Sequence, residues 1–450
     1  MTTPPPLTDD RLAPALHHWL PHQRWYAGKD RTLSGVRIVH NEPITLSDAS
    51  CGHIVILQAE FTDGTSDHFQ TAIGHTTATP PPTAADHIIT TLDGTVVYEA
   101  MADPNLVQAL FHLVSRPRTS EALAGHCEAS GSDHLSAHPV TACQPLGVEQ
   151  SNTSVVVDDR YLVKFFRRLH PGTNPDLEVQ RALLTSDNGR IAPVYGALEG
   201  RIGSTPVTLA IIQRFLPTAT DGWEIATEAF RPPCHHADLA TDAQHMGRAV
   251  GQVHTALAEA FGTTPLTRAD LVQLATAMHR QLDQATAAVP ELAPYEGLLR
   301  TAYDDLAALP TGLSAQRVHG DLHLGQLLRS DEGWVVIDFE GEPSAPIHER
   351  TEHHSPLRDI AGMLRSFDYA AAAAQPGGDT RTTVGQAQDA FCHGYSTVTG
   401  TDPRAEAALL HAYTLHKAVY ETRYEAAHRP AFLRIPLQAL DRLLFGNSPK

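Results

Sequence analysis

Two aspartates and an amide are spaced in this chain as phosphoryl-transfer chemistry would need them. Asp321 stands in Arg317-Val318-His319-Gly320-Asp321-Leu322-His323-Leu324-Gly325-Gln326. Asp338 closes the apolar run Trp334-Val335-Val336-Ile337 and is followed by Phe339-Glu340-Gly341-Glu342-Pro343. Moving a γ-phosphoryl group asks the protein for a group that takes or orients the acceptor's proton, and for oxygen ligands to a Mg²⁺ bridging the phosphates. A turn Asp, an amide residue five positions on and an Asp at the end of the next strand supply these in order. Gln326 offers the carbonyl oxygen of the commoner Asn on a stem one methylene longer. Taken singly, each Asp reads equally well as a turn residue or a strand cap; the spacing and the intervening apolar run carry the functional reading. His319 and His323 also form a His-x-Asp-x-His pattern that a transition metal could use, but no cysteine stands nearby and Asp321 has the better use above.

The elements that must position these groups lie upstream. Val148 to Phe166 reads as strand, small polar turn, strand, turn at Asp158-Asp159, strand. In its first turn, Gln150, Ser151, Asn152, Thr153 and Ser154 have side chains small enough for backbone N–H groups and hydroxyls to approach phosphate oxygens; a plain hairpin turn is the other reading. Lys164 alternates out of an apolar strand, as the lysine that holds the α/β-phosphates would. Glu178, after the helix-entry pair Asn174-Pro175, is the carboxylate expected to orient it, or else a first-turn acid favoured by the helix dipole. Strands at 191–195 and 207–215 complete a sheet of about five, and Gln213 to Pro217 reads as a hinge beside which a nucleotide base would lie. Beyond Trp223 the periodicity predicts helices over 238–261, 268–288, 295–309 and 402–428, interrupted only by the strand ending at Asp338. Before them, a short helix over 10–20 precedes hairpin-forming strands with turns at Asp63-Gly64 and Asp93-Gly94, then a helix over 103–114. The stretch 116–137 is weakly patterned and reads as loop. Trp25-Tyr26, between Arg24 and Lys29, reads as a core aromatic pair with a snorkelling lysine.

The totals set limits. With 450 residues and 42% hydrophobic content the chain can bury full cores in more than one domain. A net charge of −18 without any Lys/Arg cluster argues against nucleic acid or anionic lipid as partner. Five scattered cysteines, without a C-x-x-C pair, point away from a disulfide framework and a zinc site. The N-terminus lacks a basic region followed by an apolar one, and no stretch of about 20 apolar residues occurs, so a cytoplasmic protein is expected.

From Glu149 to Pro436 the chain resembles the aminoglycoside-phosphotransferase-like branch of the eukaryotic-like kinases, and more narrowly the bacterial maltokinases. The matching segments are Gln23 to Lys29, Glu149 to Ser154, Lys164 to Arg168, Val318 to Gln326, Asp338 to Pro343, Ser355 to Asp359, Arg365 to Phe367, Phe391 to Tyr395 and Lys417 to Tyr424. The resemblance implies an α+β, bilobal kinase fold: an N-terminal cap over 1–100, a β-rich nucleotide lobe over 101–217 and an α-helical C-lobe over 218–450. It implies ATP and Mg²⁺ as cofactors, Asp321 as the base, Gln326 and Asp338 as metal ligands with Glu340 as a further aid, and Lys164 with Glu178 and Gln150 to Ser154 on the nucleotide. Lys417, Tyr420 and Tyr424 share one helix face at i, i+3 and i+7, which reads either as a sugar platform or as a core stripe. The resemblance assigns it to the acceptor, with Glu421 beside it tuning specificity. The acceptor it implies first is maltose, giving maltose 1-phosphate. Glucosamine, giving glucosamine 6-phosphate, is the alternative, and the carboxylates Glu342, Glu421 and Glu425 suit such a cation. An aminoglycoside is a third acceptor. A non-catalytic pseudokinase module is the reading of another class, to which the unusual Gln326 points. An enzyme of trehalose and maltose metabolism is the protein partner that the resemblance suggests.

Overall fold

The computed structural model describes residues 9–47, 50–84, 87–115, 123–135, 139–147, 151–184, 190–232, 236–343 and 345–446. The chain divides into two compact units, one of Met1–Leu184 with Ala192–Pro217 and one of Thr185–Ile191 with Thr218–Lys450.

The first unit begins with α1 (Asp9–Trp19), whose Leu12, Leu16 and Trp19 are buried at helical spacing. Five antiparallel strands follow: β1 (Leu33–Ser47), β2 (Ser50–Phe61), β3 (Ser66–Thr76), β4 (Ile88–Leu92) and β5 (Thr95–Glu99), in the order β1-β2-β3-β5-β4. The two sequence-marked turns join them, with positive φ at Gly64, Asp93 and Gly94, as tight hairpins require. After α2 (Pro104–Ser115) comes a strand that the sequence did not announce, β6 (Ala124–Cys127), then α3 (Ser132–Leu135). Ala-Gly-His-Cys carries no β-branched alternation, and only pairing with a neighbour makes it a strand.

The remaining elements of this unit are β7 (Cys143–Pro145), β8 (Thr153–Val157), β9 (Tyr161–Phe165), β10 (Arg168–Leu169), α4 (Pro175–Leu184), β11 (Val194–Ile202) and β12 (Thr205–Arg214). They form a sheet in the order β6-β11-β12-β9-β8-β7, six strands where the sequence suggested about five. The apolar runs of β8, β9 and β12 are buried in a core shared with α2. Lys164 lies on β9, near the middle of the sheet, opposite Ser154 on one side and Ile211 on the other. β10 pairs with β3 and so ties the two sheets of the unit together.

The second unit is mainly helical. Its helices are α5 (Gly222–Phe230), α6 (His236–Phe261), α7 (Arg268–Ala288), α8 (Glu296–Asp304), α9 (Ile347–Arg350), α10 (Leu357–Ala374), α11 (Arg381–Thr399), α12 (Ala407–His428) and α13 (Arg434–Phe445). The helix read from Asp402 starts later: Asp402 caps a 3-10 turn over Pro403–Glu406, and α12 proper follows. The strand before Asp338 has company. β13 (Thr220–Asp221), β16 (Leu327–Ser330) and β17 (Gly333–Val336) form a three-stranded sheet, and β14 (Thr263–Pro265) pairs with β15 (Ser314–Gln316). α6 and α11 approach closely where glycines face backbone. A Cβ on Gly247 would lie 2.0 Å from the Phe391 carbonyl oxygen, and one on Gly394 2.0 Å from that of Gln244. Among the described residues, no helix is long and apolar enough to cross a membrane.

Candidate active site

In the second unit the turn between β15 and β16 carries Asp321, and several side chains fix its backbone. Asp359, on the first turn of α10, is buried and accepts three hydrogen bonds: from His319 N at 2.7 Å, from Gly320 N at 2.9 Å, and from His254 Nε2 at 3.0 Å. Gly320 has φ +87°, a conformation that glycine adopts without strain. Burial pushes the Asp359 carboxyl up, but the hydrogen bond and charge of His254 outweigh this and hold it at about 2. The stability that this anion contributes is therefore fully present above the usual carboxylate value and lost as pH falls through about 2. His319 Nε2 donates to the Ile337 carbonyl at 2.9 Å, which leaves Nδ1 to accept from Asp321 N at 3.4 Å; its ring packs on Phe339 at 5.0 Å. His319 and Asp359 thus join the Asp321 turn to the strand end at Asp338. Neither histidine of the His-x-Asp-x-His pattern belongs to a metal cluster among the described residues.

Asp321 itself is half-buried and paired. Lys417 Nζ donates to its Oδ1 at 3.1 Å and also stands 4.9 Å above the Tyr420 ring. Burial raises the Asp321 carboxyl, but the charges of Lys417 and His323 and the hydrogen bond from Lys417 outweigh it and keep it below the usual carboxylate range. For Lys417, burial disfavours the cation while Asp321 and Glu342 favour it more strongly, so it stays charged. Asp321 is therefore an anion throughout the physiological range, with one oxygen engaged by Lys417.

The metal candidates sit together. Asp338 adopts a left-handed conformation, φ +65°, which turns the strand end; Asp tolerates this better than most residues. Gln326 Nε2 lies 3.3 Å from Asp338 Oδ2, and oxygens of Asp338 and Glu340 lie within 4.8 Å of one another. Two carboxylates and a carboxamide form a donor set of hard oxygens that suits Mg²⁺, provided the amide turns its oxygen inward. When bound, Mg²⁺ would supply neutralisation of phosphate charge; Asp338, Glu340 and Gln326 are the residues that would hold it.

In the first unit Lys164 is buried and donates to Asp176 Oδ2 at 3.0 Å. The sequence pointed to Glu178 as its partner, and the structure gives the place to Asp176. Residues two apart on a helix face nearly opposite ways. Gln180, four residues after Asp176, shares its face and donates to Asp176 Oδ1 at 2.9 Å. In the small-residue turn, Ser151 is exposed, Thr153 half-buried, and Asn152 and Ser154 buried; Gln150 lies outside the described residues. Thr153 Oγ1 accepts from Arg167 Nε at 2.7 Å. Arg167 is buried, stacks 4.4 Å from the Trp25 ring and donates to Glu99 at 2.9 Å. A buried lysine and small polar groups on adjacent strands suit the phosphates of a nucleotide.

The residues that the sequence placed on an acceptor face do not share one cavity. Asp321, Lys417 and Tyr420 line one cavity with Glu342, Arg358 and His416, a void of about 50 Å³. A second cavity of about 250 Å³ shares Gln281, Glu342, Arg358, Tyr413 and His416 as wall. Glu421 lines neither; it accepts from Arg365 Nη2 at 2.6 Å. Tyr424 is stacked between Tyr420 and His428, at 6.3 and 4.5 Å. The helical spacing shows the shared face but not that its far end is occupied by neighbouring rings. Asp359, His254, Asp176 and Arg167 escaped the sequence reading. Asp359 looks like an ordinary first-turn acid, and only its place in the matched run Ser355 to Asp359 marks it.

A model of the maltokinase N-terminal cap domain matches residues 19–103, and one of the phosphotransferase enzyme family matches residues 142–414. A glucosamine kinase of Streptacidiphilus jiangxiensis is 31% identical over 330 residues, 68% of this chain and 75% of that protein. A glucosamine kinase of Mycolicibacterium smegmatis is 29% identical over 326 residues, 67% of this chain and 79% of that one. A glucosamine kinase solved with glucosamine, ADP and inorganic phosphate superposes with a TM-score of 0.70 at 24% identity, over 98% of this chain and 99% of that one, which shows the shared fold.

Proposed function

This chain belongs to the phosphotransferase enzyme family and is an ATP-dependent sugar kinase, and we propose that its acceptor is an amino sugar of the glucosamine type. The reading rests on the two curated glucosamine kinases that match about two thirds of the chain. The charge around the base agrees with it. Asp321 and Glu342 line the cavity with Arg358 and Lys417, while Asp359 is held by His254 and two backbone N–H groups, so Asp321 and Glu342 are the carboxylates that the amino group of an acceptor could meet. In this reading Asp321 aligns and accepts the proton of the acceptor hydroxyl through the oxygen that Lys417 leaves free. Lys164, held by Asp176, fixes the nucleotide phosphates, and His416 stands in the wall of the acceptor cavity. The reaction leaves the phosphate on oxygen and returns the proton to solvent.

Maltose, which the sequence favoured, keeps one supporting observation, the maltokinase-type cap over residues 19–103. Initial rates with Mg-ATP decide between them. The proposal expects kcat/KM for glucosamine to exceed that for maltose by roughly a hundredfold or more, since a site built around a buried polar partner rejects an analogue lacking it by large factors. Maltose turnover equal to or above that of glucosamine would overturn it.

A further inference from the structure

A larger cleft lies in the second unit, apart from Asp321. It encloses about 980 Å³ between α10, α11, α12 and α13, with the loop after α10 at its rim. Its charged lining is Arg365, Arg381, Arg404 and Arg442 with Asp368 and Asp379, and Glu421, Asp389 and Asp402 pair with these arginines from just outside it. Arg365 is buried and paired with Asp368 and Glu421, and Arg442 is paired with Asp368. Arg381 and Arg404 make exposed pairs with Asp379 and Asp402, at 2.8 and 2.7 Å. Pairs of that kind contribute little and exchange readily.

We propose that this cleft is a binding site for a phosphorylated sugar, separate from the acceptor cavity. The planar forks of Arg381, Arg404 and Arg442 suit a phosphate, whose oxygens they can meet in pairs. Gln388, Gln438 and Thr382 supply the amide and hydroxyl groups that sugar hydroxyls need. Among the described residues no Phe, Tyr or Trp lines the cleft; His411 is the ring in its wall. The volume is of the size that small-molecule sites have.

The cleft also touches the acceptor helix. Arg365, fully buried in its wall, donates to Asp368 at 2.5 Å and to Glu421 at 2.6 Å, and Asp368 also accepts from Arg442 at 2.9 Å. Glu421 follows Lys417 by four residues on α12. A phosphate that draws Arg442 from Asp368 changes the partners of Arg365, and through Glu421 the surroundings of Lys417. Occupancy of the cleft is thereby coupled to the acceptor's affinity, and the coupling is reciprocal.

The test is calorimetric titration of the full chain with glucose 6-phosphate, with inorganic phosphate and glucose as separate probes. It needs no turnover, so a wrong acceptor assignment leaves it intact. The site predicts one saturable binding event for glucose 6-phosphate, with inorganic phosphate and glucose each roughly tenfold or more weaker. In Arg381→Gln/Arg442→Gln the affinity for glucose 6-phosphate falls by about tenfold or more, from loss of charge-assisted hydrogen bonds. The kcat and KM of Arg381→Gln without sugar phosphate stay at wild-type values, because Arg381 pairs with the exposed Asp379 and not with Asp368 or Glu421. Arg381→Gln alone, at an exposed position, shows a smaller loss and serves if the double variant does not fold. Absence of binding, an unchanged affinity in the variants, or equal affinity for inorganic phosphate alone would each overturn the proposal.

Discussion

At the scale of single residues, the account turns on Asp321 and the cation beside it. Asp321→Asn keeps the shape and most hydrogen bonds but removes the base, so kcat should fall by roughly 10²–10⁴ while the KM for ATP holds. A turnover within about tenfold of wild type would remove Asp321 from that role. Lys417 sets the pH range in which the base is charged. Its charge and hydrogen bond hold the Asp321 carboxyl below the usual range against a burial effect that acts upward. In Lys417→Met only the upward effect and the weaker influence of the histidines remain, so the carboxyl rises. The acid limb of the kcat/KM profile should then move to higher pH, with activity lost as pH falls through the raised value. An acid limb that stays where it is in wild type would show that Lys417 does not tune the base.

At the scale of elements, the carboxylate that meets Lys164 is decided by helix geometry. Asp176 and Glu178 are both first-turn acids of α4, and nothing in their types tells them apart. Their faces do: Asp176 points into the sheet at Lys164, and Glu178 is turned some 200° away. Asp176→Asn should therefore raise the KM for ATP by about tenfold or more, the effect of weakening a buried charge pair, while Glu178→Gln stays near wild type. Steady-state kinetics with ATP varied checks this, and the opposite pattern would return the role to Glu178. The strands and the turns at Asp63-Gly64 and Asp93-Gly94 were legible in the sequence because glycine and alternation mark them locally. β6 was not legible, because an edge strand of Ala124 to Cys127 depends on β11 for its identity. The Asp321, Gln326 and Asp338 spacing was legible because one short turn and one hairpin carry all three. Asp359 and His254 support that turn from α10 and α6, and contacts across 40 and 105 residues leave no local pattern.

At the scale of the molecule, the cap-matching segment and the sheet that carries Lys164 are joined within one unit through Arg167. Trp25, Glu99 and Thr71 from residues 19–103 surround its guanidinium, which in turn holds Thr153 of the small-residue turn. The sequence read Trp25 as a core aromatic and gave Arg167 no role, since a buried cation among three distant segments is visible only once they are folded together. The cavity beside Asp321 is the part least legible from sequence, because its lining comes from α7, α10, α12 and the loop after β17. The measurement that tests the central claim most directly is NMR of the product formed from Mg-ATP and glucosamine by the full chain. The account predicts a sugar phosphate ester carrying the intact amino group, formed in step with ADP. ADP formed without any phosphorylated glucosamine, or glucosamine recovered unchanged while maltose acquires the phosphate, would contradict it.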